Sequence, residues 1–271
     1  MRRSNLGLAI IVVVLGMVAY LRPTAVREGY PLSARSSDSV ASILAERGGR
    51  EFVRLEKQSG QWRVVAPYAA RADTARVERV LSLLQARATA QLPAQGLARY
   101  DLEPPGERIV LDGEAFALGA VSPVERDRYV GTATAVYTVP IAQLPALPAS
   151  ALDFASRQLL GPDEVPAGFE LPGWRLTQTE GRWTASPPAA DASQDDYHHW
   201  ADAWRSAQAL SVVAAPAGKP LAQVRIALKG GQSVVFDLMQ REPAAVLVRR
   251  GESLGYELSA ETARRLLLPP K

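Results

Sequence analysis

Apolar residues recur at helical spacing in two places along the chain, 120 positions apart. The first place follows Asp73, a residue that favours a helix start, and its apolar positions are Val77, Val80, Leu81 and Leu84. The second follows the acidic stretch 191–196, and its positions are Tyr197, Trp200, Ala201 and Trp204. Both sets fall at i, i+3, i+4 and i+7, the spacing of one helix face. Each pattern predicts an amphipathic helix.

Short runs in which apolar and polar residues alternate surround both predicted helices. A strand pair precedes each helix, at residues 52–57 and 61–65 in the first half and at 174–178 and 182–184 in the second. About four strands follow each helix, at 108–111, 115–118, 128–130 and 135–139, and then at 223–228, 233–238, 245–248 and 255–258. Alternation with a period of two is typical of strands that bury one face. Turn residues at 112–113 and 229–231 favour antiparallel hairpins.

The same three residue types mark both strand pairs at the same spacing. These markers are Gly60, Trp62 and Pro67, followed 121 positions later by Gly181, Trp183 and Pro188. Because the elements also follow in the same order, the sequence predicts a tandem duplication of one unit. We expect Trp62 and Trp183 to pack between sheet and helix. The alternative is that these tryptophans form stacking platforms for sugars or peptides.

The first 22 residues have the pattern of a membrane-targeting segment. A basic start, residues 1–5, precedes sixteen uncharged residues, 6–21, and Arg22 follows. Sixteen is short of the roughly twenty residues that span a bilayer, but flanking arginines extend a span by snorkelling. No small-x-small cleavage site follows, which favours an uncleaved signal anchor over a cleaved signal peptide. The basic start favours a cytoplasmic N-terminus. We therefore expect a single-pass protein of the bacterial inner membrane with the bulk of the chain in the periplasm.

The predicted fold class is α+β, with two tandem copies of a strand-strand-helix-multistrand unit. Each copy is expected to be a mainly antiparallel sheet with one packed helix, and one N-terminal transmembrane helix precedes them. The predicted parts are a cytoplasmic N-terminus at 1–5, a transmembrane signal anchor at 6–21, a stalk at 22–49, a first α+β domain at 50–150, a linker helix at 151–165 and a second α+β domain at 166–271. A short helix is expected within the stalk, at 40–47.

Charge and cysteine content narrow the function classes. The net charge of +3 comes entirely from residues 1–45, where five Arg face two acidic residues. Neither predicted domain therefore has the basic excess that nucleic-acid binding requires, and nucleic acid is not an expected partner. The absence of cysteine excludes disulfides, thiolate nucleophiles and sulfur metal sites.

Two stretches resemble reactive sites. The sequence Gly251-Glu-Ser-Leu-Gly255 matches the G-x-S-x-G nucleophile elbow, but both of its flanks have strand patterns and both histidines precede it. We interpret it as a hairpin loop and keep a hydrolase that uses Ser253 as an alternative. His198 and His199 lie beside acidic residues, but two ligands on one helical turn do not complete a metal site, and Asp at a helix start is typical of capping. We predict no catalytic, cofactor-binding or metal site and no enzyme activity.

The order of motifs resembles a known family. A strand, a Gly-x-Trp and a proline precede a helix led by Ala72-Asp73, and Tyr100-x-Leu102 then stands ahead of a proline pair and the run 128–130. This order is similar to that of the family catalogued as domain of unknown function 4340, over residues 50–150 and more faintly over 166–271. The resemblance implies a membrane-anchored bacterial envelope protein without an established activity. Some relatives look like auxiliary components of gliding-motility-type ABC transport systems.

The sequence thus predicts a non-catalytic, membrane-anchored periplasmic protein-interaction module, an accessory or scaffold subunit of an inner-membrane assembly. The expected partners are the lipid bilayer, through residues 6–21, and one or more proteins of the inner membrane or periplasm. Trp174 and Tyr197 are the candidate interaction residues, because large aromatic side chains anchor many interfaces. A module that binds cell-wall glycan or lipid is the alternative. The oligomeric state is left open.

Overall fold

The computed structural model describes residues 29–123, 126–189 and 191–270. Strands make up 45% of the structure and helices 20%. The described ranges contain three α-helices, α1 at Thr74–Leu81, α2 at Gln194–Ser206 and α3 at Ala260–Leu267. We call residues 29–150 the first unit, 151–165 the connecting segment and 166–270 the second unit.

The strands of the described residues, numbered in chain order, pair in an antiparallel manner throughout. Those of the first unit are β1 Tyr30–Pro31, β2 Ser42–Arg47, β3 Arg50–Gln58, β4 Gln61–Ala66, β5 Ala70–Arg71, β6 Arg87–Ala88, β7 Ala90–Pro93, β8 Glu107–Leu111, β9 Glu114–Val121, β10 Asp127–Gly131 and β11 Ala135–Pro140. Those of the second unit are β12 Pro166–Leu171, β13 Trp174–Thr179, β14 Arg182–Ser186, β15 Ser211–Ala214, β16 Ala222–Leu228, β17 Ser233–Gln240, β18 Ala245–Arg249 and β19 Leu254–Leu258.

The two large sheets have the same strand order. The sheet of the first unit runs β5-β4-β3-β2-β8-β9-β10-β11-β7, and that of the second runs β14-β13-β12-β16-β17-β18-β19-β15. In each unit a meander of three strands, β2–β4 or β12–β14, comes before the helix. After the helix, a four-residue strand, β7 or β15, forms the far edge of the sheet. Two hairpins, β8–β11 or β16–β19, lie between the meander and that edge strand. β5 has no counterpart in the second sheet, and β1 pairs with β6 in a separate two-stranded sheet.

Matching turns close the second hairpin of each meander. β3 and β4 join at Ser59-Gly60, β13 and β14 join at Glu180-Gly181, and the φ angles of these residues are 50°, 81°, 51° and 84°. Two-residue turns with positive φ twist in the same sense as the strands they connect, so they set the strand register. β4 carries one extra residue opposite β3. The structural counterpart of Pro67, which follows β4, is therefore Pro187, which follows β14, rather than Pro188.

The helices and one face of each sheet enclose two separate apolar cores. α1 contributes Val77, Val80 and Leu81, and α2 contributes Tyr197, Trp200, Ala201 and Trp204. Phe116 lies in the first of these cores and Phe236 in the second, and both are fully buried. The apolar positions predicted for the two helices are confirmed.

The predicted fold class is wrong. Antiparallel sheet dominates the described residues, and the sheets have nine and eight strands where the predicted unit has about six. Three of the additional strands, β5, β7 and β15, have only two to four residues, too few for a period to be visible in the sequence. The other two, β2 and β12, have six residues each and were not predicted as strands. The predicted transmembrane anchor at 6–21 lies outside the described residues. Within those residues no helix is long and apolar enough to cross a membrane.

The stalk and the linker also differ from their predicted secondary structure. Residues 42–47, expected in a short helix at 40–47, form β2, which lies between β3 and β8 in the sheet. Ile43 and Ala45 point into the core there, and a run this short fits a strand or a helix equally well by periodicity. Of the linker helix predicted at 151–165, only the single 3₁₀ turn Ala151–Phe154 is helical. The residues that follow are extended because their backbone groups bond to both units.

Candidate functional site

A cleft of about 450 Å³ lies where the two units meet. Its walls come from the start of β4, the start of α1, the connecting segment and the residues that precede β15. The polar and aromatic residues that line it are Gln61, Trp62, Arg71, Asp73, Thr74, Ser156, Arg157, Gln158 and Gln208. The cleft therefore exists only when both units are held in this arrangement.

Backbone hydrogen bonds hold the connecting segment against both units. On the side of the first unit, Asp73 N donates to Phe154 O at 2.8 Å and Ser156 N donates to Arg71 O at 2.9 Å. On the other side, Ala209 N donates to Arg157 O at 2.8 Å. The connecting segment thus pairs with the edge of the first sheet at one end and with the residues before β15, at the edge of the second sheet, at the other. Backbone bonds of this kind fix the walls of the cleft.

A largely buried group of charged residues lies behind the cleft. Arg71 of β5 reaches into the second unit, where its Nε donates to Glu252 Oε1 at 2.8 Å and its Nη2 donates to the Tyr256 hydroxyl at 3.0 Å. Tyr256 in turn donates to Glu252. Glu164 accepts from Arg249 Nη1 at 2.7 Å. The Glu252 side chain is 2% exposed and that of Arg71 is 12% exposed, so the pair is shielded from solvent.

The same contacts set the protonation states. Burial acts to lower the pKa of Arg71, but the charges and hydrogen bonds of Tyr256 and Glu252 outweigh it, and the pKa lies above its ordinary value. Burial opposes ionisation of Glu164, yet the hydrogen bond from Arg249 holds its pKa below the ordinary value. Burial raises the pKa of Tyr256. At neutral pH the junction therefore contains a charged arginine, an ionised Glu164 and a neutral tyrosine hydroxyl.

Ser253 lies at the junction as well. Its N–H donates to Ala69 O at 2.8 Å, and its Oγ accepts from Ala69 N at 2.8 Å. The loop that carries it joins β18 to β19, which confirms the hairpin interpretation of the Gly251–Gly255 sequence. The hydrolase alternative requires His198 or His199 close to Ser253. His198 accepts a hydrogen bond from Trp183 Nε1 at 3.2 Å, and His199 lies beside Trp200 and Glu261, between α2 and α3. The structure thus places Ser253 and His198 in different surroundings, and Ser253 links the two units.

Four polar side chains in the cleft have no partner within the part of the chain that the structure describes. Three are the amides of Gln61, Gln158 and Gln208, and the fourth is the guanidinium of Arg157. All four are exposed, and all four line the cleft. Amides both donate and accept hydrogen bonds, and a guanidinium binds carboxylates. The cleft therefore offers hydrogen-bond donors and acceptors and one positive charge.

The edges of the two sheets next to these tryptophans differ. In the second unit the Gln194 side chain covers the edge of β14, where its Oε1 accepts from Trp183 N at 2.9 Å and its Nε2 donates to Trp183 O at 2.8 Å. In the first unit the carbonyl of Trp62 accepts from Ala72 N at 3.0 Å. β5 pairs with Arg63 and Val64 on the same side of β4, so the outer strand of this sheet is β5. The chain's own backbone therefore covers this side of β4, whereas the Gln194 side chain covers the matching side of β14.

The predicted interaction residues Trp174 and Tyr197 lie in the core of the second unit, and each is 6% exposed. The Trp174 ring packs edge-on against Trp200, with a centroid distance of 5.0 Å. Trp183 is buried in the same core as they are, whereas Trp62 is half-buried and packs against the first core. Neither predicted anchor presents its ring at the surface, so we base no contact on them.

The acidic stretch with the two histidines begins α2. Ser193 caps the helix, since its Oγ accepts from Asp196 N while the Asp196 carboxylate accepts from Ser193 N at 2.8 Å. The hydrogen bond from the Ser193 hydroxyl lowers the pKa of Asp196. The described ranges contain no group of three or more potential metal ligands. The hydrogen bonds between Ser193 and Asp196 confirm the capping interpretation for Asp196.

Sequence reasoning did not identify Arg71, Glu252, Glu164 or Arg157. The first two are 181 positions apart, and no spacing rule relates residues that meet only through a domain junction. Gly60 and Trp62 were identified, but as markers of the repeat. Gln194 was not identified either, although its side chain bonds to both backbone groups of Trp183.

The family model described as Domain of unknown function (DUF4340) matches residues 62–221, which is more than half of the chain. The match confirms the family found by resemblance and does not bear on the membrane anchoring or the transport association that the resemblance implied. The match begins in β4 and ends just before β16, so it extends across the junction and the cleft. No curated protein and no solved structure was found to match the chain.

Proposed function

We propose that the chain, which belongs to the DUF4340 family, is a non-catalytic protein-interaction module whose partner binds in the cleft between the units. The observation that carries this proposal is the set of three amides and one arginine that line the cleft without a partner among the described residues. These groups suit hydrogen bonding to peptide groups and pairing with a carboxylate.

The junction supports the proposal because it holds the walls of the cleft in place before any partner arrives. Arg71, Glu252 and Ser253 bind the units to each other, and the connecting segment bonds to both. A site that is already ordered loses less conformational entropy when it binds, so it gains affinity. If the walls of the cleft were mobile loops, binding would cost more conformational entropy.

The location and wider role of the module are part of the same proposal. The basic start and the uncharged run at 6–21 favour a place at the bacterial inner membrane with the folded units in the periplasm. There the module serves as an accessory or scaffold subunit of an inner-membrane assembly, such as a transport system. Fractionation of cells and protease accessibility of the two units in spheroplasts test this location.

In-cell crosslinking followed by affinity purification of the full chain in mild detergent tests the interaction. Arg157→Glu reverses the charge of the unpaired arginine in the cleft and should lower recovery of a specific partner about tenfold, which corresponds to about 1.4 kcal/mol. Arg241→Glu is the matched control, since Arg241 is also exposed and unpaired within the described residues but lies outside the cleft. Equal recovery with both variants, or no partner with the wild-type chain, would count against the proposal.

A second candidate function is glycan binding, and the observation that favours it is Trp62. It is the half-buried tryptophan of the cleft, while the other four are 6% exposed or less. A sugar stacked on this ring would change its fluorescence. Titration of the full chain with peptidoglycan fragments tests this function, with Trp62→Phe as the control that removes the signal.

A further inference from the structure

We propose that one end of the first unit rests on the lipid surface of the membrane, through apolar side chains and two arginines beside the point where the chain enters the fold. We call this surface the entry end and define it as Tyr30, Arg87, Val121, Arg126 and Ile141. The inference rests on the membrane location given in the proposed function. It adds a lipid contact that is separate from the cleft.

The stretch between the uncharged run and the first unit is short. The run ends at Leu21, and the described residues begin at Gly29, directly before β1. A chain extends by at most about 3.6 Å for each residue, so this stretch spans no more than about 30 Å in any conformation. Much of the stalk predicted at 22–49 belongs to the fold, because it contains β1 and β2. A membrane that holds the uncharged run is therefore close to Gly29.

Hydrogen bonds join the entry of the chain to one end of the large sheet. Arg87 Nη1 donates to Gly29 O at 3.3 Å, and Arg87 N donates to Gln143 Oε1 at 2.8 Å. Gln143 ends the 3₁₀ turn that follows β11 and starts at Ile141. Ile141 N in turn donates to Arg126 O, next to the start of β10, at 3.1 Å. The entry of the chain is thus continuous with the end of β11 and the start of β10.

The exposed apolar side chains of the first unit lie at this end. Val121 ends β9 beside the start of β10, where Ser122 N donates to Asp127 O at 2.7 Å. Among the described residues of this unit, the large apolar side chains that are exposed are Tyr30, Val121 and Ile141, at 49%, 55% and 43%. Tyrosine is enriched at membrane–water interfaces, where its ring lies among the lipid headgroups. The surface nearest the uncharged run is therefore the apolar one.

The opposite end of the same strands is polar. The turn between β10 and β11 contains Thr132 and Thr134. The turn between β8 and β9 contains Asp112, and both Asp112 and Glu114 pair with Arg35, at 3.4 and 3.7 Å. Apolar exposure is thus specific to the end at which the chain enters, rather than a general property of the sheet.

Two arginines of the entry end suit a phosphate-bearing surface. Arg87 and Arg126 are exposed, and neither forms an ion pair with a described residue. The acidic side chain next to Arg126, that of Asp127, is buried and accepts from Thr89 Oγ1 at 2.6 Å. A guanidinium binds phosphate strongly, and basic residues beside a membrane are attracted to anionic lipids. An anionic bilayer presents both the phosphates and the apolar groups that this end requires.

The test exploits the absence of cysteine from the chain. Ala142 and Ala133 are both exposed and lie beyond opposite ends of β11, which is about 20 Å long. Ala142→Cys and Ala133→Cys each give the full chain one site for a fluorescent label. The labelled chains are placed in nanodiscs of phosphatidylethanolamine and phosphatidylglycerol, with or without lipids that carry a nitroxide quencher on the headgroup. We expect quenching of the label at position 142 and none at position 133.

The decisive variant is Ile141→Glu, which removes an apolar contact and adds a negative charge beside the phosphates. In the chain labelled at position 142 it should reduce quenching to the level found at position 133. Leu221→Glu is the matched control, because it replaces an apolar residue of the second unit that is 61% exposed, and it should leave quenching unchanged. Equal quenching at positions 142 and 133, or unchanged quenching in Ile141→Glu, would overturn the inference.

Copurification with the nanodiscs separates this inference from the proposed function. If the full chain copurifies with them but both labels are quenched equally, the membrane location stands and the lipid contact is refuted. If the chain does not copurify with them, the location and the contact are both refuted. Capture of a protein partner by crosslinking does not involve the labels. Quenching at position 142 without any captured partner would therefore support the lipid contact and count against the interaction module.

Discussion

Replacement of Arg71 by Met should uncouple the two units. Met has a similar length and is apolar, so it fills the space of the aliphatic part of Arg71 but removes the charge and every hydrogen bond of the guanidinium. Those hydrogen bonds run to Glu252 and Tyr256 and to the carbonyls of Gln158 and Leu159, the last two at 2.6 and 3.1 Å. All of them join the first unit to the connecting segment or the second unit.

The magnitude follows from the burial of the partner that remains. The Glu252 side chain is 2% exposed, and without Arg71 it keeps only the long contact to Arg249, at 3.9 Å, and the hydrogen bond from Tyr256. Removal of one partner of a buried ion pair costs about 3–5 kcal/mol, mostly because the other charge stays buried. That is a large fraction of the roughly 5–15 kcal/mol by which a domain is stable.

Urea unfolding measured by two probes detects both the loss of stability and the uncoupling of the two units. Four of the five tryptophans lie in the second unit, so their fluorescence reports mainly on that unit, whereas far-UV circular dichroism reports on both sheets. In the wild type the two transitions should coincide, since the junction makes unfolding cooperative. In Arg71→Met they should separate, with the free energy of unfolding lower by about 3 kcal/mol.

Two further variants test whether the buried charge of Glu252 causes the loss of stability. Arg71→Met combined with Glu252→Gln removes the buried charge and should recover about half of the loss, as replacement of a whole buried pair is far milder than breaking it. Arg54→Met breaks the exposed pair with Glu51, whose side chains are 47% and 36% exposed, and should cost less than about 1 kcal/mol. A loss below about 1 kcal/mol for Arg71→Met, with coincident transitions, would refute the reasoning.

Three other predictions concern pH and the two cores. The folded-state pKa of Glu164 lies below its ordinary value of 4.5. The ionised carboxylate therefore contributes fully to the stability of the fold above about pH 4.5, and this contribution is lost as the pH falls through the folded-state pKa. The urea midpoint should fall from pH 7 to pH 3, and Glu164→Gln should make that fall smaller. Trp204→Ala empties the centre of the second core, where the ring is 0% exposed, and should cost about 3–5 kcal/mol in urea unfolding. Gly119→Ala places a Cβ 2.2 Å from the Tyr100 carbonyl oxygen and should lower the melting temperature, with a loss of about 1–3 kcal/mol, whereas Gly106→Ala, in open space, should not.

Secondary structure could be predicted from the sequence best where one face of a helix or strand is buried along its length. The positions of α1 and α2 could be predicted because Val77, Val80, Trp200 and Trp204 repeat at helical spacing on a face that meets a sheet. The long strands of both units were visible for the same reason. In contrast, β2 was mistaken for a helix. Val40, Ile43 and Leu44 fall at i, i+3 and i+4, which resembles a helix face, whereas the buried positions of the strand are Ile43 and Ala45, two residues apart.

The candidate site was largely beyond prediction from sequence. Its walls come from four separate stretches of chain, and its frame depends on Arg71 and Glu252, which have ordinary neighbours in sequence and meet only in the folded junction. Trp174 and Tyr197 were chosen because they are large and aromatic, but their size is also what fits them to a core. A rule based on residue type alone cannot separate an interface anchor from a core residue; the position of the residue in the sheet decides it.

The span of the family match includes the junction between the two units. The match covers residues 62–221 and therefore takes the second part of one unit and the first part of the next. It leaves out β2, β3 and β16 to β19, which a complete unit needs for its sheet. It includes Trp62, Thr74, Arg157 and Gln208, which line the cleft. Since a single repeat would give a match confined to one unit, the family is defined by parts of both units together with the segment that joins them.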